Sequence, residues 1–340
     1  MDEEKNNAVT TLRSNKKLSV RVMLGLLVIL LLLPLLFGSF WVEVTTEIII
    51  LGLFAMSFNL IYGYMGQISF GHAAFFGIGA YGAAMMMRSF SLETGEVTYG
   101  QFFLSLLMGI PVAAIVALII GFFCVRLTGI YFAILTLAFG ELVYYIVFSW
   151  YSFTGGDDGI QGLLPPGLLQ HEVAYYYFSL AVVTVALLIM WRITESPFGY
   201  LLRAMRDNQQ RTHYLGVNVR RYMLANFVIA GTFAGVAGAL FGPFTRSVAP
   251  VLIGWQESGI AVFMTLLGGS GFFAGPMIGS IIYTFLHAWV IGFTIYWPMT
   301  IGIIILFIVL FSPGGLLGTL ASWYNRKGLA ISQAHTKVSD

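Results

Sequence analysis

From residue 22 to residue 312 the chain is a succession of long apolar stretches separated by short polar ones. A helix that crosses a bilayer needs about 20 mostly apolar residues. Ten segments meet or approach that length: 22–41, 45–63, 71–88, 102–124, 128–150, 174–191, 222–243, 256–270, 275–292 and 297–312. The third and eighth are short or rich in glycine, and the eighth reads as a tilted or half-inserted helix. The pattern predicts an all-α integral membrane protein of about ten transmembrane helices, with the membrane domain spanning 22–312. No connecting segment is long enough to bury a core of its own. The glycine breaks Gly66–Gly71 and Gly268–Gly275 look alike, but the likeness is one of composition.

Composition agrees with the pattern. Of 340 residues, 58% are hydrophobic and only 9% charged, where a soluble domain carries about a quarter charged residues. Such a chain cannot cover a water-facing surface. The first apolar run is long and lacks a small-x-small cleavage site, so it reads as a retained span rather than a signal peptide. The single cysteine, Cys124, excludes an internal disulfide and a cysteine-only metal site, and reads as a small apolar filler.

Charge fixes the expected orientation. With ten spans and both termini in the cytoplasm, fifteen of the seventeen Lys and Arg fall inside, and only Arg88 and Arg246 fall outside. That is the asymmetry of the positive-inside rule. The outer loops are acidic, with Glu93, Glu96, Asp157, Asp158 and Glu172. The expected parts are a basic cytoplasmic tail 1–21, an outer loop 151–173, a cytoplasmic loop 192–221 and a cytoplasmic tail 313–340.

The cytoplasmic loop contains ESPFGYLLRAMRDNQQRTHYLGVN, residues 195–218. Ser196 suits a helix cap, Pro197 its first position, and Gly216 and Asn218 its end. Leu201, Leu202, Met205 and Leu215 supply apolar positions. Arg203, Arg206, Asp207, Gln210 and Arg211 supply polar ones. A short amphipathic helix results, suited either to a lipid headgroup layer or to a cytoplasmic protein partner.

Within the membrane, the stretch around Gly63, Gly66 and Gly71 breaks the chain at the inner end of the second and third spans. Backbone groups freed there must be satisfied by protein or water, so the region is not expected to face lipid. Gln67, Ser69 and His72 add polar groups, and no second ligand stands at helical spacing from His72 to form a metal site. Glu141 reads as the one acidic residue well inside a span. It suits either a hydrogen-bonded helix staple or a place along a solute path. TGGDDGIQG, from Thr154 to Gly162, is a turn-rich acidic loop without the ligand alternation of a calcium site. Neither GxxxxGK[ST] nor HExxH occurs, and no nucleophile constellation is visible. The chain is therefore not expected to be an enzyme, and any energy source must lie elsewhere.

Four stretches together resemble one family. They are GYMGQISFGHAAFFGIGAY at 63–81, TGIYFAILTLAFGELVYYIVFSWYSFTGGDDGIQGL at 128–163, SPFGYLLRAMRDNQQRTHYLGVNVRRYMLANFVIAGTFAGVAGALFG at 196–242, and LLGGSGFFAGPMIGS at 266–280. In combination and order they resemble the permease subunits of branched-chain amino acid ABC importers, specifically the longer, M-type subunit. Permeases for urea are close relatives. The resemblance implies the ABC importer permease fold and a place in the bacterial plasma membrane. It implies a second homologous permease, two cytoplasmic ATPase subunits and an extracytoplasmic solute-binding protein as partners, with the lipid bilayer around them and no nucleic acid. No cofactor is expected in this chain; ATP and magnesium belong to the ATPases.

The resemblance also assigns roles. Arg203, Ala204, Met205, Arg206, Asp207, Asn208 and Arg211 fall in the helix that couples to the ATPases. Gly66, Gln67, Ser69, Gly71, His72 and Glu141 fall along the translocation path. Thr154, Gly155, Gly156, Asp157, Asp158 and Gly159 fall where the binding protein docks. The chain departs from the family pattern at Tyr144, where an arginine is common, and at Ser149 and Trp150, where asparagines are common. An ATP-independent secondary transporter or channel is the competing expectation. One visible buried carboxylate and breaks near the inner surface fit it less well.

Overall fold

The computed structural model describes residues 38–312 and 314–319, with positions 25, 30–32 and 34 before them. Helix α1, Ser39–Asn59, continues as a π-helical turn, Leu60–Tyr64. Then come α2 (Ala73–Thr94), α3 (Tyr99–Cys124) and α4 (Ile130–Ser149). After an outer loop follow α5 (Glu172–Thr194), α6 (Pro197–Asp207), α7 (Gln209–Tyr214) and α8 (Val219–Thr245). The described chain closes with α9 (Trp255–Gly268), α10 (Gly275–Ile291) and α11 (Trp297–Phe311).

Each predicted span from 45 onward coincides with a helix. Among the described residues, six helices are long and apolar enough to cross a membrane unaided, among them α1, α3, α4, α5 and α8. The others fall short for visible reasons. Helix α2 is diluted by Gly77, Gly79 and Gly82, while α9 and α10 have only 14 and 17 residues. The eighth segment, expected to be short, is the 14-residue α9. Of the predicted first span, 22–41, only part is described. Its piece at 30–32 is helical and held to α5, where Tyr176 donates to the Leu30 carbonyl and Tyr177 to that of Leu31. The tails 1–21 and 320–340 lie outside the described residues.

Helix α1 forms the hub. It is buried almost along its length and packs against α5, α8, α9 and α10. Helices α2, α3 and α8 form a second body whose seams are built from small residues. A Cβ on Gly79 would stand 2.3 Å from the Gly235 carbonyl oxygen, and one on Gly238 would strike the Phe76 carbonyl. Small residues let backbones approach this closely where burial against lipid gives little driving force. Helix α3 starts with a reciprocal cap. The Thr98 hydroxyl accepts from the Gln101 amide, and the Thr98 amide donates to Gln101 Oε1 at 2.9 Å.

The outer loop is stitched to the end of α8. Strand β1 (Ile160–Gln161) pairs antiparallel with β2 (Ser247–Val248), Ile160 opposite Val248. The Leu163 amide donates to the Arg246 carbonyl at 3.1 Å.

Candidate functional site

The loop 192–221 is not one helix. Helix α6 ends at Asp207, Asn208 is extended (φ −161°), and α7 restarts at Gln209. The reason is local: Asn208 Oδ1 accepts from the Arg211 amide at 2.8 Å, which caps α7 and halts α6. Ser196 also departs from expectation. Its hydroxyl donates back to the Ile193 carbonyl at 2.6 Å instead of capping α6. Pro197 does occupy the first position, and Gly216 ends the segment with φ +84°.

Burial divides the expected coupling residues. Leu202 and Met205 are buried against the membrane body, so Met205 faces this chain's own core. Ala204, Asp207, Asn208 and Arg211 face outward, as do Tyr200, Tyr214 and Leu215. Tyr214 is 86% exposed and Leu215 79%. Leu215, expected on the apolar side, is thus an outward apolar residue. Arg203 and Arg206 hold the helix to the body. The Arg203 guanidinium lies 4.9 Å from the Tyr64 ring centre and 3.7 Å from Glu195. Arg206 Nη1 donates to the Gly63 carbonyl at 2.5 Å, and its methylenes lie against Gly66.

That bond lands on the π-helical turn, where the regular ladder is broken and carbonyls are free. The structure satisfies them one by one. Asn226 Nδ2, on α8, donates to the Leu60 carbonyl at 2.7 Å. The Gln67 amide donates to Ile61 and the Gly66 amide to Tyr62, both at 3.1 Å. Protein thus satisfies the groups freed at the break, as expected; Asn226 carries no sequence signal for this role, because its partner lies 166 positions away. Asn226→Leu leaves the Leu60 carbonyl buried without its donor, a loss of about 1–3 kcal/mol. A fall of a few degrees in the melting temperature in detergent is the expected reading.

The expected path residues are brought together, but mostly as an enclosed cluster. Gln67 Oε1 accepts from the Gly129 amide at 2.7 Å, which ties the break to the start of α4. Gly71 lies so close to α4 that a Cβ would overlap the Thr136 carbonyl. His72 is fully buried, its Nε2 2.9 Å from the Ser57 hydroxyl and its ring among Phe54, Phe58 and Phe75. Its partner is a side chain, not backbone. Ser69 is equally buried, and only Gly66 of this group reaches the surface. The second glycine break meets the first: a Cβ on Gly63 would stand 2.5 Å from the Ser270 carbonyl oxygen. Their likeness in composition is therefore accompanied by contact.

Glu141 stands apart from this cluster. It is half-buried on α4, and the Trp255 amide, at the start of α9, donates to its Oε1 at 3.4 Å. It is not the sole acidic residue within the helices. Glu47, on α1, and Glu257, on α9, are half-buried too. Glu257 stands in the first turn of α9, at the helix end expected for it, whereas Glu47 lies inside α1, which begins at Ser39, six residues before the expected limit of 45. Ser258 of α9 completes the junction by accepting from the Ala73 amide at 2.9 Å, capping α2 across 185 positions.

At the opposite end the acidic loop is rigid rather than open. Thr154 is buried, its hydroxyl donating to the Val147 carbonyl at 2.5 Å. Gly155, Gly156 and Gly159 all have positive φ, and Gly159 packs on the Val248 carbonyl. These turns leave Asp157 and Asp158 exposed at the rim.

The family profile described as branched-chain amino acid transport system, permease component, matches residues 40–312. The high-affinity branched-chain amino acid transport system permease protein LivM of Escherichia coli is 26% identical, over 87% of this chain and 74% of its own length. The probable LivM protein of Methanocaldococcus jannaschii is 24% identical, over 77% and 89%. The guanosine ABC transporter permease protein NupP of Bacillus subtilis is 39% identical over a shorter stretch, 28% of each chain. No solved structure matches.

Proposed function

The chain belongs to the family of branched-chain amino acid transport permeases, and on that premise we propose how it is assembled, oriented and driven. It is a non-enzymatic permease subunit of an ABC importer in the inner membrane, similar to the M-type subunit. Ten crossings with both termini inside are supported by the fifteen-to-two distribution of basic residues. A second homologous permease, two cytoplasmic ATPases and an outer binding protein complete the importer. The solute is a branched-chain amino acid; the match to the guanosine permease favours a nucleoside as second choice.

One observation carries the mechanism. The α6–α7 rod offers Ala204, Asp207, Asn208 and Arg211 to the cytoplasm while Arg206, on the same helix, grips the π-turn of α1. An ATPase that holds the outer side of the rod pulls on the break at 60–72 through its inner side. The break in turn touches α4 through Gln67 and Gly71, and the 268–275 loop through Gly63. The rigid rim at Thr154–Gly159 gives the binding protein a fixed seat.

Ala204→Glu with Asp207→Lys tests this. The expected variant elutes as a folded chain but no longer co-purifies with the ATPases. Retained association would defeat the assignment. ATP-independent uptake by the isolated chain in vesicles would instead identify a secondary transporter.

A further inference from the structure

Glu141 is the twelfth of the twenty residues of α4, about 17 Å from its start at 1.5 Å per residue. Half a carboxylate at that depth cannot rest against hydrocarbon, because intramembrane charges face a protein interior or water. Yet among the described residues nothing closes over the face it borders. Tyr131, Ile134, Ala138, Leu142 and Tyr145, spaced three and four apart along one side of α4, are all exposed. Beside them, positioned by the Trp255–Glu141 bond, the first turn of α9 exposes Trp255 and Gln256.

Helix α3 differs in having no carboxylate beside its outward face. From Phe102 to Cys124 every exposed residue is apolar, Leu107, Ile115 and Ile119 among them. That face suits lipid. The α4–α9 face is an apolar stripe with a polar notch at its middle, which suits a second membrane protein with water between.

We infer that the α4–α9 face is this chain's half of the solute path, closed by the second permease, and that Glu141 meets the ammonium group of the passing solute. This rests on the importer function proposed above. The notch carries negative charge and the exposed rings of Tyr145 and Trp255, both attractive to an ammonium. Among the described residues no basic side chain pairs with Glu141; the α9 amide donates to one of its oxygens and brings no full positive charge.

The test uses the whole importer in proteoliposomes, with Cys124, which is buried, replaced by serine. Single cysteines at Ala138 and Leu142 on α4, and at Leu107 and Ile115 on α3, are treated with a charged, membrane-impermeant thiol reagent. The α4 positions are expected to react at least tenfold faster; equal or reversed reactivity overturns the wet face. Glu141→Gln keeps an acceptor for the Trp255 amide and removes only charge. A pure staple predicts normal uptake for this variant, which would overturn the ammonium role. The expected result is a tenfold or greater rise in the solute concentration for half-maximal uptake, restored by Glu141→Asp, with assembly intact. If the parent importer shows no ATP-driven amino acid uptake, the functional premise fails, while the labelling contrast still reports on the face.

Discussion

Arg206→Gln is expected to cut solute uptake by the assembled importer about 10–100-fold while ATP hydrolysis continues. The guanidinium reaches the Gly63 carbonyl at 2.5 Å, a direct bond from α6 to the backbone of the π-turn. A hydrogen bond to a charged group contributes about 1.5–3 kcal/mol, and each 1.4 kcal/mol is about a factor of ten. Removing it does not remove the docking surface, because Ala204, Asp207 and Arg211 face away from the body. The ATPases therefore still bind and cycle, but their movement reaches α1 only through Leu202, Met205 and the Arg203–Tyr64 contact. Arg206→Lys keeps the charge but loses the planar fork, so it restores part of the uptake. Uptake and hydrolysis measured together in proteoliposomes decide the matter. A parallel fall in both would mean that Arg206 serves docking rather than transmission.

Arg206 also shows how far the sequence could be read. Its helix and its polar surroundings follow from spacing and charge. Its partner does not, because Gly63 lies 143 positions away and a backbone carbonyl has no sequence signature. The same limit applies to Asn226 on Leu60 and to Ser258 on Ala73. Periodicity located the helices well because an apolar run of about 20 residues has few alternatives in a chain of this composition. It placed the start of α9 within one residue but that of α1 six residues too late. Glu43 and Glu47 interrupt the apolar run, yet the helix runs on past them to Ser39. The break at Asn208 was hidden for the opposite reason: Ser, Pro and Gly marked the two outer ends, whereas Asn can cap or simply face solvent.

The glycines of the α2–α8 seam carry the largest stability effect. Gly238→Leu is expected to abolish folded, monodisperse protein. A Cβ there would lie well inside the Phe76 carbonyl and 3.0 Å from the Ala80 amide, both parts of the α2 backbone, so no side-chain rotation can relieve it. The helices would have to part. Their separation would also disturb the Gly79–Gly235 contact and move Phe75, which packs on Phe227. Overpacking in a tight core costs about 1–3 kcal/mol when neighbours can shift, and here the neighbour is rigid backbone. Gly302, where nothing among the described residues lies within 4 Å of a Cβ, serves as control: leucine there leaves yield and melting temperature close to those of the parent. Size-exclusion profiles in detergent separate the outcomes. A well-folded Gly238→Leu protein would show that α2 and α8 can slide apart by more than a methyl group, and the seam would then belong with the moving parts of the transporter.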